Sequence, residues 1–329
     1  MKLVSYYKDD QDQLALLIDG LLYDTDLMHP GLPVSMSMFL NYWEDLYPIA
    51  STIENTIKEG KISRQHGIDY ESVEILAPVP HCTSFRNGYA FRLPAALNSM
   101  PGFDQYPVFN FGNHNSVIGP GGVNCMPDHL EKLDFEMQVA IVIGKPGKNI
   151  KASDADNYIA GYMVMNNFSS RGLQAEEMPL NFGSAKGKDF ATAIGPMLLT
   201  PDDLEPFKVE CKPGHTGNAY NLPIKCWVND VRVSEGNLAD MEWTFAEIIE
   251  YCSYGVQLFP GDIISSGVVG NGCFLQLNNN SKLNIADYKE TWLQEGDVVE
   301  MEIETFGRLS NTIAKDESDF SILALRKNA

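Results

Sequence analysis

The sequence predicts an α+β protein: a small N-terminal β/α module over residues 1–75, then a larger, mixed and mostly β domain over residues 76–329. Three observations predict it. Short apolar runs with alternating polarity recur along the whole chain, as half-buried strands require. Helical periodicity is confined to a few segments. Gly and Pro, 27 and 18 of the 329 residues, punctuate the runs at the short intervals that turns between strands demand.

The N-terminal runs LVSYY, LALLIDG and LLYDTD read as three strands, with Asp19-Gly20 as a hairpin turn. Residues Ser35 to Glu59 carry Met38, Leu40, Trp43, Leu46, Ile49, Ile53 and Ile57 at helical spacing. Pro48 is expected to kink or split that helix, and Gly60 to stop it. VEILAPVP, Val73 to Pro80, reads as a strand closing the module. Beyond it, VAIVIG, YMVMNN, IKCWVNDVRV and GDIISSGVV read as strands, and Asn229-Asp230 as a turn. Helices are expected at Ala152 to Ile159 and Met241 to Tyr251, where TFAEIIEY is amphipathic and would cap the sheets. Arg86 to Asn124 is dense in Gly and Pro and reads as a long irregular loop of the kind that carries function.

Composition narrows the function. The net charge is −20, from 44 acidic and 24 basic residues, which argues against nucleic acid as a partner. No apolar run is long enough to span a bilayer, and the N-terminus has no signal-peptide core, so a cytoplasmic protein with no membrane partner is expected. Six scattered cysteines lack CxxC or zinc-like spacing and read as reduced, buried thiols. There is no G-x-S-x-G elbow, no G-x-G-x-x-G after a strand and no P-loop.

The chemistry concentrates in two segments. In LDFEMQVAIVIG, residues 133–144, Glu136 and Gln138 alternate and so point to one side of a strand. In MNNFSSRGLQ, residues 165–174, an apolar strand ends in Asn167, Ser169 and Arg171. With KGKDFATAIGPMLLTPDDL at 186–204 and FPGDIISSGVV at 259–269, these segments resemble the fumarylacetoacetate hydrolase family in order and spacing. The resemblance covers most of residues 77–329. It implies a mixed β-roll domain behind the N-terminal module, a small-molecule substrate and a homodimer.

That family holds Mg²⁺ or Ca²⁺ with four carboxylates, chelates a 1,3-dicarbonyl substrate, and uses a histidine to activate water. Carried onto this chain, the four ligand positions are Asn87, Glu136, Gln138 and Asn167. Only Glu136 is a carboxylate. Arg171-Gly172 stands where the family has Arg-Asp, and no histidine follows Asn87, with Pro94 near its expected place. Oxygen ligands remain, but the negative charge that dominates affinity is gone. The expectation is therefore no tightly bound cofactor, with weak Mg²⁺ or Ca²⁺ at Glu136 the most that one carboxylate, waters and substrate could hold. The amides would grip carbonyl or enolate oxygens directly, an oxyanion role in place of a metal role.

Other matched positions are Lys188, Tyr89, Gln174, Thr192 and Val268, the last standing where the family often has threonine. The resemblance gives Lys188 and Arg171 charge stabilisation, and Glu136 would serve as acid/base. Asn87, Gln138 and Asn167 would orient carbonyls, with Tyr89, Gln174, Thr192 and Val268 around the substrate. His114, in FGNHNS, is the candidate for a displaced general base. Each also has a plain structural reading: Lys188 as a loop lysine, Glu136 and Arg171 as a buried ion pair, the asparagines as turn formers, His114 as a solvated loop residue.

Three functions follow as expectations. The first is an enzyme that acts on a 1,3-dicarbonyl or enol acid through an enolate-like intermediate, by carbon–carbon hydrolysis, decarboxylation, tautomerisation or cyclisation, without a tightly held metal. The second is a non-catalytic binding protein on the same fold. The third is a metal-dependent hydrolase whose ligands have moved to Asp134, Asp189 or His114.

Overall fold

The computed structural model describes residues 1–92, 102–181 and 183–327. Among them, eleven strands form one large mixed sheet. Its order runs Ile68–Asp69, Leu21–Asp24, Gln11–Ile18, Lys2–Lys8, Thr192–Leu199, Ile159–Asn167, Met137–Ile143, Asp262–Ser265, Ser84–Tyr89 and Val108–Gly112, with Val117–Ile118 pairing to the side of Thr192–Leu199. The N-terminal strands extend this sheet, because Lys2 pairs with Leu199. A second, five-stranded sheet has the order Val231–Asn237, Pro223–Val228, Val298–Ile303, Gly307–Lys315 and Gly121–Cys125. The result is an α+β fold with a large mixed sheet, as expected.

Two cores explain why the central strand MQVAIVI is apolar at nearly every position. Val139, Ile141 and Ile143 face a core shared with Ile224, Met301 and Leu309 of the second sheet and Ile248 of the Phe245–Cys252 helix. Ala140 and Val142 face the opposite core, with Phe39, Ile53 and Ile57 of the N-terminal helices. A strand covered on both faces needs no polar alternation. Each large aliphatic side chain so buried contributes roughly 1.5–3 kcal/mol. Only near the end of this strand, at Gln138, does polarity return.

Local signals behave as their chemistry dictates. Asp19-Gly20 and Asn229-Asp230 turn tight hairpins with positive φ at both residues. Thr244 caps the Phe245–Cys252 helix in a reciprocal box with Glu247. All six cysteines are free, five of them buried. No helix among the described residues is long and apolar enough to cross a membrane.

Three expectations are corrected, and two helices are added. The first long helix breaks at Tyr42 into Met36–Asn41 and Trp43–Lys58, and Pro48 lies inside the second. The break lets Trp43 pack against both Phe39 and Tyr47, with ring centroids 5.5 and 4.9 Å away. Residues 73–80 make only one bridge, Ile75 to Tyr6, because Pro78 and Pro80 cannot donate to a ladder. Among the described residues of the Arg86 to Asn124 stretch, strands alternate with loops, and Val108–Gly112 pairs against Ser84–Tyr89. Two unforeseen helices, Arg171–Glu177 and Phe274–Asn284, border the polar end of the large sheet.

Candidate active site

Strand register gathers the matched amides. Asn87 pairs with Ser265, and Ser265 with Ala140, two residues beyond Gln138. Gln138 pairs with Met165, two residues before Asn167, and Asn167 pairs with Thr192. Paired residues, and residues two apart, share a face. Asn87, Tyr89, Gln138, Asn167 and Thr192 therefore stand on one face at one end of the sheet.

Their hydrogen bonds differ in sense. The Ser265 hydroxyl donates to Asn87 Oδ1 at 2.8 Å, and the Thr192 hydroxyl donates to Asn167 Oδ1 at 3.2 Å. Gln138 Nε2 instead donates to Glu136 Oε2 at 3.0 Å. Asn166 Oδ1 accepts from the Glu136 backbone N–H at 3.0 Å, which fixes the residue where the strand begins.

Glu136 is the hub of a buried ionic chain. Its Oε1 accepts from Arg171 Nη2 at 2.9 Å and also meets Lys188 Nζ. Arg171 Nε donates to Asp134 Oδ2 at 2.8 Å, and its Nη1 to Gln174 Oε1 at 2.9 Å. Asp134, fully buried, also accepts the backbone N–H groups of Phe274 and Leu275 at 2.7 and 3.1 Å, at the start of the Phe274–Asn284 helix. Two carboxylates thus balance two cations. A buried ion pair persists only with such additional hydrogen bonds.

Burial and charge pull the titrations apart. Burial disfavours the Glu136 anion, but Lys188 and Arg171 overcome it and hold the carboxyl below its ordinary range. Burial also works against the Arg171 cation, yet Asp134 and Glu136 hold the guanidinium more firmly protonated than usual. At Asp134 burial wins and the carboxyl is raised. At Lys188 burial wins over the attraction of Glu136, so the ammonium gives up its proton more readily than an ordinary lysine. The Tyr89 hydroxyl is pushed up by burial and then by the nearby Glu136 charge.

The loop that delivers Lys188 is built by Glu177. Its carboxylate accepts the backbone N–H groups of Ala185, Lys186 and Gly187 at 2.9, 2.6 and 3.2 Å. A Cβ at Gly187 would stand 2.8 Å from the Gln174 nitrogen, so only glycine lets the loop approach this closely. Gly172 is constrained too: a Cβ there would lie 2.8 Å from the Glu131 carbonyl oxygen, and an aspartate after Arg171 would not fit without movement.

The remaining candidates lie farther out. Val268 is half-buried in the turn beyond Ser265. His114 is exposed, in a single turn whose Asn113 and Ser116 side chains donate to the Asp189 carbonyl at 2.9 and 2.5 Å. The loop therefore borders Lys188, but the imidazole joins none of the hydrogen bonds of the ionic chain. The position near Pro94, where a histidine would be expected, lies outside the described residues.

The donor set does not fit a tightly held divalent cation. Of the four positions only Glu136 is anionic, and both its oxygens are engaged by Arg171, Lys188 and Gln138. Among the described residues no three or more His, Cys, Asp or Glu side chains are grouped to hold a metal, so Asp134, Asp189 and His114 do not form a substitute site.

Comparison with known proteins agrees with this fold. Residues 85–314 match the family described as fumarylacetoacetate (FAA) hydrolase C-terminal. The chain belongs to the fumarylacetoacetate hydrolase family. A mitochondrial oxaloacetate tautomerase of Xenopus laevis is 27% identical over 318 residues, covering 95% of this chain and 90% of that protein. The human mitochondrial oxaloacetate tautomerase is 30% identical over 300 residues, covering 89% and 84%. A fumarylacetoacetase of Oryza sativa is 29% identical over 257 residues, covering 64% and 59%. Among solved structures, maleylpyruvate hydrolase from Sphingobium sp. SYK-6 with manganese(II) and pyruvate superposes with a TM-score of 0.69 at 19% identity, covering 96% of this chain and all of that one.

Proposed function

We propose that the protein is an enzyme that binds a small 1,3-dicarbonyl or enol acid and stabilises an enolate-like intermediate without a tightly bound metal. One observation carries the reading: Lys188, with its proton loosened by burial, is held on Glu136 beside Arg171 and below a row of amides. Neutral Lys188 can take a proton from the carbon between two carbonyls and return it to the enolate oxygen. Arg171 and the amide N–H groups of Asn87 and Asn167 can hold the charge that develops on oxygen. Both oxygens of Glu136 are already bonded, which favours it as the anion that positions Lys188 and Arg171 over a role as base. Tautomerisation needs only this proton transfer, and the oxaloacetate tautomerases among the relatives support it. Carbon–carbon hydrolysis and decarboxylation release an enolate and cyclisation can proceed from one, so the same stabilising groups could serve them. The homodimer implied by the family belongs to the same reading. The stacked, solvent-facing rings of Tyr106 and Tyr251, their centroids 5.8 Å apart, offer it apolar surface.

The test is deuterium exchange at the α-carbon of oxaloacetate, followed by NMR with and without chelator, alongside elemental analysis of the purified protein. Accelerated exchange that survives chelation supports the reading. Exchange that appears only with added Mg²⁺, Ca²⁺ or Mn²⁺, or a stoichiometric cation, would move the chemistry to a metal. No exchange on any dicarbonyl acid, with binding retained, would favour a non-catalytic protein.

A further inference from the structure

Gln138 is the odd member of the amide row. Its Nε2 donates to Glu136 Oε2, an ionised carboxylate oxygen that can only accept. Turning the amide over would set two acceptors face to face, so chemistry fixes its orientation. The carbonyl end, Oε1, is then left buried with no hydrogen-bond partner among the described residues, on a side chain with no solvent exposure. Native proteins seldom leave such an acceptor unpaired unless a ligand or water supplies the donor. Asn87 and Asn167 are arranged the other way, their oxygens engaged by Ser265 and Thr192 and their NH2 groups the ends they offer.

Four residues therefore bring donors and positive charge, and Gln138 brings a bare acceptor with no solvent exposure. A 1,3-dicarbonyl acid in its keto form has only acceptors, and it would leave Gln138 unanswered. Its enol has a carboxylate and a carbonyl for the donors, and one O–H. We propose that Gln138 Oε1 accepts a hydrogen bond from the enol hydroxyl of the substrate, so that the site selects the enol form. This inference rests on the dicarbonyl reading above and adds to it which tautomer is gripped and by which atom.

The experiment is calorimetric titration of the wild-type protein, in chelator, with two inert probes. Salicylate carries an enol-type hydroxyl beside a carboxylate, and ortho-fluorobenzoate has nearly the same shape without the donor. Salicylate should bind roughly ten- to hundredfold more tightly, the range expected when a buried acceptor is answered or left bare. Gln138→Met should abolish the preference, while Asn87→Leu should weaken both probes and keep it. Equal affinities in the wild type would overturn the role of Gln138 and leave the dicarbonyl reading standing. A preference that survives Gln138→Met would also overturn it. If neither probe binds, the inference falls together with the reading beneath it.

Discussion

Two arginine–carboxylate pairs are buried at the same large sheet, and only one of them has a lysine attached. Arg86 Nη1 lies 3.4 Å from Asp262 Oδ2, with Ser84 at 2.6 Å and the Phe111 ring 5.4 Å from the guanidinium carbon. Asp262 is otherwise met by neutral donors: Thr83 and Ser84 hydroxyls at 2.6 Å and the Phe259 N–H at 3.0 Å. That arrangement joins the parallel strands Ser84–Tyr89 and Asp262–Ser265 and has no second cation, although Arg86 Nε is buried without a partner among the described residues. At the other pair, Arg171 bridges two carboxylates and Glu136 carries a second cation whose proton is loosened by burial. The contrast teaches that burial of an ion pair does not mark a catalytic site. A titratable group held out of its ordinary range does so better.

The largest perturbation of this contrast converts the amide row back to acids. In Asn87→Asp, Gln138→Glu, Asn167→Asp protein, four carboxylates converge. Without cation the mutual repulsion and burial should lower stability by several kcal/mol. Calorimetry should then detect Mg²⁺ or Ca²⁺ binding that the wild type lacks, and native turnover should vanish. A triple variant that binds no cation and keeps its turnover would show that the amides are incidental.

Asp262→Ala should come next in size and should act on stability alone. It strands the buried Arg86 charge, which costs about 3–5 kcal/mol. Urea unfolding would measure that loss, and the exchange rate per folded molecule should be little changed. A large loss of rate in still-folded protein would mean that the two pairs are not independent.

What could be read from sequence divides along the same line. Glu136 and Gln138 were legible as neighbours because strand alternation is local, and their 3.0 Å contact follows from it. The hairpin turns were legible for the same reason. The orientation of each amide was not, because it depends on partners far along the chain. Ser265 lies 178 residues from Asn87, and the N–H groups that saturate Asp134 lie 140 residues away. The helix that supplies them, FLQLNNNSKLN, has no clear apolar stripe. It is held partly by Asn278, which bonds Thr291 and Tyr288. Gly172 looked like a loss from the family pattern, and only packing against Glu131 explains why glycine stands there.

Lys188→Ala tests the charged pair directly. Removing one preorganised group that steadies an oxyanion or carries its proton typically costs about a hundredfold or more in rate. Stability should fall less than in Asp262→Ala, since Glu136 keeps Arg171 as a partner. Deuterium exchange and thermal melting together read both. An unchanged rate would leave Arg171 and Glu136 as a structural pair like Arg86 and Asp262.

The smallest effect is the one most specific to Lys188. Its folded-state pKa lies below the ordinary lysine value that the unfolded chain recovers. Where both states are protonated, the folded state bears the full penalty of the buried charge. As pH rises through the folded value toward the unfolded one, the unfolded chain binds more protons, so stability from this group must rise with pH. Glu136 is lowered in the fold too, so its contribution likewise rises with pH: the stability it gives at neutral pH is lost as pH falls through its folded value. Denaturant unfolding at successive alkaline pH values, compared with Lys188→Met, should therefore show a difference that grows by at most about 1.4 kcal/mol per pH unit, the slope of a single proton. The same comparison made in the acid range should show no such trend from Lys188, because its ammonium is protonated in both states there. A flat alkaline difference would mean that Glu136 fully compensates the buried ammonium, and Lys188 would lose its claim to move a proton.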